Sequence, residues 1–516
     1  MRWINELLIG LLLWLGVKVV RSARVPLIGS LTSRKPNADI PDDTKDQLFV
    51  NCFPEGVQNP ITGKKDIWLN KRQGTIASSD VQASATGHFG SVVWSSNSAA
   101  TAPLVFSYIK STATSIMFFN DAGAQIGGDV ANTGACLFMS ESDVGGTGNL
   151  TATLIDSGTN GWEVWFFPEG GAWTQITDGD FPTNLVATHT HMDGFMFVMT
   201  TAGRIYNSAV NSLSAWGAND YITANSFGDK GVGIARYGRY IVGFGDSSVE
   251  FFENAGNATG SVLRRLTGAT LRVGARRTGQ AEGASIKEVG DTVYWVGQNA
   301  ASGAPGVYRL NGMQAEKVSN AAVDRVMGNG AMYIFGCFSL LGMTHVAFRS
   351  GAATSALCYC IETGFWWVFT PAGSLTLTAM IGALDTNDKA KSYFTTNTNA
   401  KFYTFDPSTP VWQDNSSAYT MTAQTDPLDL DTRRLKFWQT VHIIGDTESA
   451  TSNLAVSYSD DDYATFSTAR NIDLSSIQKS ATGWGASRRR AWKFAHAANT
   501  ACRIKAVEFE YEVGNT

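Results

Sequence analysis

The sequence predicts an all-β protein, and three observations support this fold class. Short runs of β-branched and aromatic residues, such as residues 115–119 and 162–167, recur along most of the chain. Most runs end at Gly, Asn or Asp, which favour tight turns, and the 516 residues include 52 Gly but only 13 Pro. Beyond the N-terminal run, no long segment has a clean helical period. The closest, residues 321–327, predicts one or two helical turns.

The N-terminal residues 1–24 predict a short helix. An apolar run over residues 7–17 ends at Lys18 and is shorter than the roughly 20 residues that span a bilayer. A signal peptide is disfavoured, because Glu6 accompanies a single base, Arg2, and the cleavage site is poor. We interpret the run as a docking helix, or as residues upstream of the true start. The candidate docking residues are Leu7, Leu8, Leu11, Leu12, Trp14 and Leu15.

The middle of the chain predicts a propeller. Residues 25–80 are rich in polar turns and predict an extended segment that packs on a C-terminal β domain. Over residues 81–423 strands open near seven positions: Val92, Thr151, Val186, Val232, Ile286, Met332 and Thr376. These openings lie roughly 35–60 residues apart, a period typical of propeller blades. About four short strands per unit, closed radially, predict a β-propeller of six or seven blades.

Residues 424–516 predict a separate, smaller β domain that shares strands with the N-terminal region. Residues 437–444 form an apolar strand, and residues 454–459 are expected to pair with the segment after an acidic turn at Asp460. The last segment, Arg503–Val513, alternates polar and apolar residues almost strictly, as half-buried strands do.

Composition excludes several classes of protein. The 40 Lys and Arg against 45 Asp and Glu give a net charge of −5, which argues against a basic nucleic-acid-binding domain. With 11% aromatic and only 16% charged residues, the chain does not resemble a disordered one. The six cysteines contain no CxxC pair, so we expect buried thiols and neither a zinc site nor a disulfide scaffold.

Two local motifs carry chemistry-bearing side chains. His189 and His191 share one face of a strand and would bind zinc with a third ligand. None follows at a fixed spacing, so we favour a strand end with partly exposed imidazoles. Residues 459–466, S-D-D-D-Y-A-T-F, resemble an Asp-box turn with Tyr463 in place of Gly. The segment lacks EF-hand spacing, so we expect a folding turn and no calcium site.

The sequence predicts no enzyme, no cofactor, and no catalytic or metal-binding residue. Neither a nucleophile elbow, nor HExxH, nor a phosphate-binding loop occurs. Two basic clusters remain, and we interpret them either as solvated loops or as contacts to acidic partner surfaces or phosphates. They comprise Arg264, Arg265, Arg272, Arg276, Arg277, Arg488, Arg489 and Arg490.

Residues 233–252, which include I-V-G-F-G-D-S-S-V-E-F-F, resemble the central stretch of the tail hub, or packaged-DNA stabilisation, proteins of short-tailed bacteriophages. Residues 303–308 and 320–327 resemble that family's next blade. The Ser-x-Asp turn, the Arg-rich segment before Trp492 and the alternating last strand resemble its end, and residues 46–51 resemble its beginning. The resemblance spans approximately residues 40–516, and residues 1–20 depart from it.

This resemblance implies a virion structural protein of the phage tail. The expected protomer is a β-propeller in a homohexameric ring, a nozzle below the portal and its adaptor. The ring would retain packaged DNA and form the conduit for its ejection. Its partners would be the adaptor, needle or fibre proteins, and double-stranded DNA passing without sequence recognition. Low charge and many aromatic residues suit the permanent interfaces of such a ring.

Two alternatives stay open. One is a secreted or virion carbohydrate-binding or depolymerising propeller. The other is a phage protein that binds the host envelope and inserts residues 7–17 into the membrane.

Overall fold

A computed structural model of the chain describes residues 20–25, 48–58, 65–78, 85–95, 104–110, 115–132, 136–155, 162–276, 285–328, 332–350, 354–373, 375–384, 390–396, 401–406 and 408–514. The chain divides into two compact units. The terminal unit comprises Met1–Gly74, Glu362–Ala372 and Pro410–Thr516, and the propeller unit comprises Thr75–Ile361 and Gly373–Thr409. Almost all regular structure is β-strand, which confirms the predicted fold class.

Four strands open the terminal unit: β1 (Arg21–Val25), β2 (Leu48–Val50), β3 (Cys52–Gln58) and β4 (Lys65–Lys71). The propeller unit then begins with the short strand β5 (Ile76–Ala77). The predicted N-terminal helix and its six docking residues lie outside the described residues. Among those described, no helix is long and apolar enough to cross a membrane.

The described part of the propeller unit contains seven blades that follow one another along the chain; blades 1–5 are separate sheets, whereas blades 6 and 7 are joined in one sheet. Blade 1 contains β6 (Ala85–Val93), β7 (Leu104–Lys110) and β8 (Ile116–Asn120). Blade 2 contains β9 (Cys136–Ser142), β10 (Asn149–Ile155), β11 (Trp162–Pro168) and β12 (Thr174–Gln175), with a 3₁₀ turn at Val144–Gly146. Blade 3 contains β13 (Leu185–Met192), β14 (Phe195–Thr200), β15 (Arg204–Ser208) and β16 (Trp216–Thr223).

Blade 4 contains β17 (Gly231–Tyr237), β18 (Tyr240–Gly245), β19 (Val249–Asn254) and β20 (Leu263–Arg265). Blade 5 contains β21 (Val273–Ala275), β22 (Ile286–Val289), β23 (Thr292–Asn299), β24 (Pro305–Asn311) and β25 (Gln314–Lys317), and helix α1 (Ala321–Gly328) follows. Blade 6 contains β26 (Met332–Leu340), β27 (Met343–Ser350) and β28 (Ala356–Cys360). After β29 (Trp366–Phe369) of the terminal unit, blade 7 contains β30 (Leu377–Leu384), β31 (Ala390–Thr396) and β32 (Tyr403–Phe405).

The seven blades close into a ring. The innermost strands β6, β9, β13, β17, β22, β26 and β30 each contact the next, and β30 contacts β6. The short strand β5 pairs with β32, so the first strand of the unit completes its last blade. Ser78 and Phe402 extend this pairing through two hydrogen bonds of 2.8 and 2.9 Å. This pairing joins both ends of the unit in one sheet, as is typical of propellers that close radially.

The sequence located most innermost strands closely. Five predicted openings, from Val186 to Thr376, lie within one residue of the start of β13, β17, β22, β26 or β30. The prediction at Thr151 was wrong, because this residue belongs to β10 and the innermost strand of blade 2 is β9. Strand β9 ends in Ser-Glu-Ser at the centre of the ring, which weakens its apolar signal.

Apolar side chains fill the spaces between neighbouring blades. Between blades 4 and 5, Phe244 and Trp295 are both 0% exposed, and their ring centroids are 5.5 Å apart. Val242, Val249 and Phe251 belong to the same cluster. Full burial of such a side chain contributes about 1.5–3 kcal/mol, so the packing between blades holds the ring together.

Helix α1 begins at the residue that the sequence indicates. The side-chain oxygen of Asn320 accepts hydrogen bonds from the backbone N–H groups of Ala322 and Val323, at 3.1 and 3.0 Å. This capping satisfies donors that have no partner within the first helical turn. The predicted turns at residues 321–327 are therefore confirmed.

The terminal unit combines strands from both ends of the chain. Its later strands are β33 (Met421–Gln424), β34 (Lys436–Gly445), β35 (Asn453–Ser459), β36 (Arg470–Asp473), β37 (Ser480–Thr482), β38 (Ala486–Ser487), β39 (Ala491–His496) and β40 (Arg503–Val513). One sheet has the order β3-β4-β40-β34-β37, with β1 paired to β40. The strands β36, β35, β39, β33, β2 and β29 form another run of neighbours. The predicted sharing of N-terminal strands with the C-terminal β domain is thus confirmed.

Candidate functional site

A cavity of about 1100 Å³ lies at the centre of the propeller ring. The innermost strands of blades 1–5 line it, mostly through residues at their C-terminal ends. Gly194 and Gly290, which belong to the turns after β13 and β22, lie at the same end. The cavity therefore opens on the face of the propeller that carries the turns after the innermost strands.

Four acidic side chains and two basic ones line this cavity: Glu141, Asp143, Asp193, Glu288, Arg236 and Lys287. Glu288 accepts hydrogen bonds from the backbone N–H of Arg236 at 2.6 Å and from the hydroxyl of Thr190 at 3.2 Å. Desolvation by the surrounding protein raises the pKa of the Glu288 carboxyl, whereas these two hydrogen bonds lower it. Both donors come from neighbouring blades, so Glu288 links blade 5 to blades 3 and 4.

Lys287 is the unusual member of this set. Its ammonium has no hydrogen bond or ion pair with any residue that the structure describes, and the ring of Phe138 lies 5.9 Å away. Desolvation lowers the pKa of Lys287, while the nearby Cys337 and Glu288 act in the opposite direction. The cavity thus contains a positive group with no hydrogen-bonding counter-ion.

His189 and His191 join blades 2 and 3 and do not form a metal site. His189 is 1% exposed, and its two ring nitrogens bond the hydroxyls of Thr153 and Thr151 at 2.9 and 2.8 Å. Burial lowers the pKa of both histidines, to about 3 for His191, so both rings are neutral. Within the described chain, no three His, Cys, Asp or Glu side chains converge on a possible metal position.

The expected strand end with partly exposed imidazoles was wrong for His189. This residue lies in the middle of β13 and is enclosed by blade 2, whose threonine hydroxyls replace water as its hydrogen-bond partners. A buried imidazole with both nitrogens bonded satisfies its polar atoms without solvent.

The Asp-box-like segment is a folding turn, as expected. The carboxylate of Asp461 accepts hydrogen bonds from the Ser459 hydroxyl at 2.7 Å and from the backbone and hydroxyl of Thr465 at 2.9 and 2.6 Å. These bonds lower the pKa of Asp461 to about 2. Tyr463 has a φ of +69° at the position where Gly is expected, and its hydroxyl bonds Thr425 at 2.8 Å.

The first arginine cluster lies on blade 4 and the beginning of blade 5. Arg264 is exposed and forms an ion pair with Glu253. Arg265 pairs with Glu250 at 2.8 Å and also donates to the backbone oxygen of Thr223 at 2.5 Å.

The next arginines in this cluster have different surroundings. The guanidinium of Arg272 stacks over Phe227 at 3.9 Å, and Phe227 is 48% exposed. Arg276 donates to the carbonyl of Met327, the last-turn residue of α1, at 2.7 Å. Arg277 lies outside the described residues.

The second arginine cluster lies in the terminal unit. Arg488 and Arg489 are exposed, and Arg489 pairs with Asp462. Arg490 is 1% exposed and binds both carboxylate oxygens of Asp460 at 2.7 Å, with its guanidinium 3.6 Å from the ring of Tyr458. Arg490 therefore stabilises the interior of its own unit.

Sequence reasoning missed the cavity residues Arg236, Lys287 and Glu288. The sequence feature that could have located them is a charged residue within the short innermost strand of consecutive blades. Such a strand has one edge at the ring centre, where a charge is tolerated, whereas charges inside the other buried strands are rare.

Residues 117–331 match a family model described as "Phage_stabilise: Bacteriophage P22 Gp10, beta-propeller". This part of the chain is therefore similar to a family of phage structural proteins. The match begins within β8 and ends three residues after α1. It includes residues 233–252, on which the resemblance in the sequence rests. It confirms the resemblance found in the sequence, and it points to a structural component of a virion.

Three solved structures give weaker similarities. YCF48 from Cyanidioschyzon merolae is 11% identical, with a TM-score of 0.39 over 65% of this chain and 100% of its own. The computationally designed Ika8 protein is 8% identical, with a TM-score of 0.33 over 64% and 99%. The extracellular domain of a putative hybrid two-component system from B. thetaiotaomicron is 9% identical, with a TM-score of 0.39 over 83% and 57%. The comparison with curated proteins gives no match.

Proposed function

We propose that this chain is the tail hub, or nozzle, of a short-tailed bacteriophage. Six copies form a ring below the portal and adaptor, retain the packaged genome and provide the conduit for its ejection. The observation that carries the proposal is the family match over residues 117–331, which covers most of the last strand of blade 1 and the whole of blades 2–5.

The charge of the chain supports a role as a conduit. A net charge of −5 does not favour the accumulation of DNA phosphates, which require Lys and Arg for tight binding. A weakly attractive wall allows duplex DNA to slide through the ring without being held. Double-stranded DNA is therefore proposed as a passing partner that is not recognised by sequence.

The exposed arginines support ring assembly. Arg264, Arg265, Arg272, Arg488 and Arg489 retain exposed guanidinium surface, and arginine is enriched in the buried centres of interfaces. We propose them as anchors to neighbouring subunits or to the adaptor and needle or fibre proteins. Arg490 is left out, because it is 1% exposed and both carboxylate oxygens of Asp460 bind its guanidinium group. The apolar residues of the segment 7–15 are proposed to dock on one of these partners.

The proposal is tested in virions of the phage that encodes the chain. Quantitative mass spectrometry is expected to find six copies per particle, and gold-labelled antibodies are expected to mark the tail. Particles assembled without the protein should lose their DNA, which nuclease digestion would detect. Absence of the chain from purified virions would contradict the proposal. Binding to polysaccharides on a glycan array, with no virion association, would favour the carbohydrate-binding alternative.

A further inference from the structure

We propose that the central cavity of the propeller binds a small oxyanion, the phosphate or carboxylate group of a low-molecular-weight ligand, through Lys287 and Arg236. This inference concerns a single propeller and does not depend on the assembly of six copies into a hexamer.

The first argument is the state of Lys287. This side chain is half-buried at the cavity wall, and its ammonium has no hydrogen-bond acceptor among the described residues. A charge that is partly removed from water and has no partner is costly, whereas one that is paired and hydrogen-bonded is tolerated. The cavity that Lys287 lines measures about 1100 Å³, which is large enough for a small anion.

The second argument is the position of Arg236. Its guanidinium donates to the backbone oxygen of Gly238 at 2.9 Å and more weakly to that of His191 at 3.5 Å. Both acceptors are neutral, and within the described chain Arg236 has no ion pair. The side chain is exposed in the cavity, so its remaining N–H groups are available to an oxyanion.

Neutral polar groups complete the site. Ser140 and Thr190 line the same cavity, and each hydroxyl has a donor or acceptor capacity beyond its present bonds. His191 also lines the cavity, and its Nε2 atom is buried without a hydrogen-bond partner. A buried polar atom left unbonded is rare in folded proteins and indicates a missing group.

The carboxylates restrict the size and charge of the ligand. Glu288 is bonded by two donors, Asp193 accepts from Asn254 at 3.0 Å, and Glu141 accepts from Ser95. Together with Asp143 they leave the lining with two more negative than positive groups. This charge opposes the approach of a polyanion such as DNA, but a small anion can reach Lys287. The ligand class is therefore a mono- or dianion of low molecular weight.

Thermal unfolding of the full chain in different sodium salts at equal ionic strength tests the proposal. Inorganic phosphate, glycerol 3-phosphate and the dicarboxylate succinate serve as probes, and chloride is the reference. At concentrations far above the dissociation constant, a bound anion should raise the Tm by about 2 °C or more. A response to both phosphates alone would assign a phosphate group, and a response to succinate as well would assign oxyanions in general.

Two variants make the test specific. Lys287→Met should abolish the Tm shift, and in chloride it should melt above the parent protein, because it removes an unpaired charge. Lys317→Met is the matched control, since Lys317 is exposed and already paired with Asp324 at 2.6 Å. This control should keep the full shift. Lys287→Gln replaces the first variant if circular dichroism shows that Lys287→Met is unfolded. An equal Tm in all salts, or a shift that survives in the Lys287 variant, would overturn the proposal.

Discussion

At the scale of single residues, the terminal unit is organised around buried arginines. Arg72 is 0% exposed, and its guanidinium binds both carboxylate oxygens of Asp414 at 2.9 and 2.5 Å. Asn51 accepts a further hydrogen bond at 2.8 Å, and the ring of Tyr419 lies 3.6 Å from the guanidinium carbon. Every face of this cation is thus occupied by an acceptor or an aromatic ring, which makes burial of the charge possible.

Removal of Arg72 should make the protein less stable, because its buried partner Asp414 stays in place. The Arg72→Met variant is expected to lower the free energy of unfolding by about 3–5 kcal/mol, because Asp414 is left buried without a cation. Unfolding in guanidinium chloride, followed by tryptophan fluorescence, measures this free energy of unfolding. Arg489→Met is the control, since its ion pair with Asp462 is exposed on both sides and should change stability by less than about 1 kcal/mol. Equal effects of the two variants would refute this account of Arg72.

Buried neutral histidines predict loss of stability in acid. Burial lowers the pKa of His345 to about 3, and this residue is 0% exposed. An unfolded chain has an ordinary histidine pKa near ~6.5, so between these values the unfolded state binds more protons. Stability contributed by the neutral ring is therefore fully present above pH ~6.5 and falls as pH decreases toward 3.

The size of this acid effect can be measured with one variant. Between pH ~6.5 and 3, His345 alone should lower the free energy of unfolding by about 1.4 kcal/mol for each unit by which the pH falls. His345→Phe should reduce the slope of unfolding free energy against pH by that amount between pH 6 and 4. The stacking of His345 on Phe338, with ring centroids 5.4 Å apart, suits an aromatic replacement. An unchanged slope would show that His345 is already charged in the folded protein.

At the scale of elements, a single glycine allows the parallel pairing of blades 6 and 7. Gly336 of β26 pairs with Met380 of β30, and a Cβ at Gly336 would lie 1.6 Å from the Met380 carbonyl oxygen. The register of β26 against β27 shifts between Ile334 and Gly336, which marks a β-bulge or similar irregularity. The close approach of two backbones thus depends on the absence of a side chain.

Gly336→Ala should therefore weaken the ring where blades 6 and 7 meet. We expect a loss of about 1–3 kcal/mol in unfolding free energy, together with faster amide hydrogen exchange in β26 and β30. Gly179→Ala is the control, because a Cβ there meets nothing within 4 Å. If the two substitutions had equal effects, the proposed backbone contact would be irrelevant to stability.

The sequence predicted elements well where local chemistry determines them. Strand β40 was located at Arg503–Val513 from its alternation, and α1 follows directly after its Asn320 cap. By contrast, β9 was missed, because its charged end faces the central cavity and its pattern is not that of a buried strand. The rule of apolar periodicity fails where one strand edge lies in water.

At the scale of the whole molecule, repeat spacing predicted a closed ring of blades but not which strands pair to close it. The pairing of β5 with β32 joins residues more than 300 positions apart, and no local pattern marks it. The same holds for β4 with β40 in the terminal unit. The cavity could not be predicted from the sequence either, because only the order of the blades around the axis places Lys287 and Arg236 in the same cavity wall.

The central claim concerns assembly, and the mass of the purified full-length chain in solution tests it most directly. Mass photometry should detect a species of about 330 kDa, which corresponds to six chains of 55.5 kDa. Replacing Arg264, Arg265 and Arg272 by Glu should shift this species toward the monomer, whereas Arg204→Glu should not. A parent chain that remains at 55.5 kDa at every concentration and in the presence of its virion partners would contradict the account.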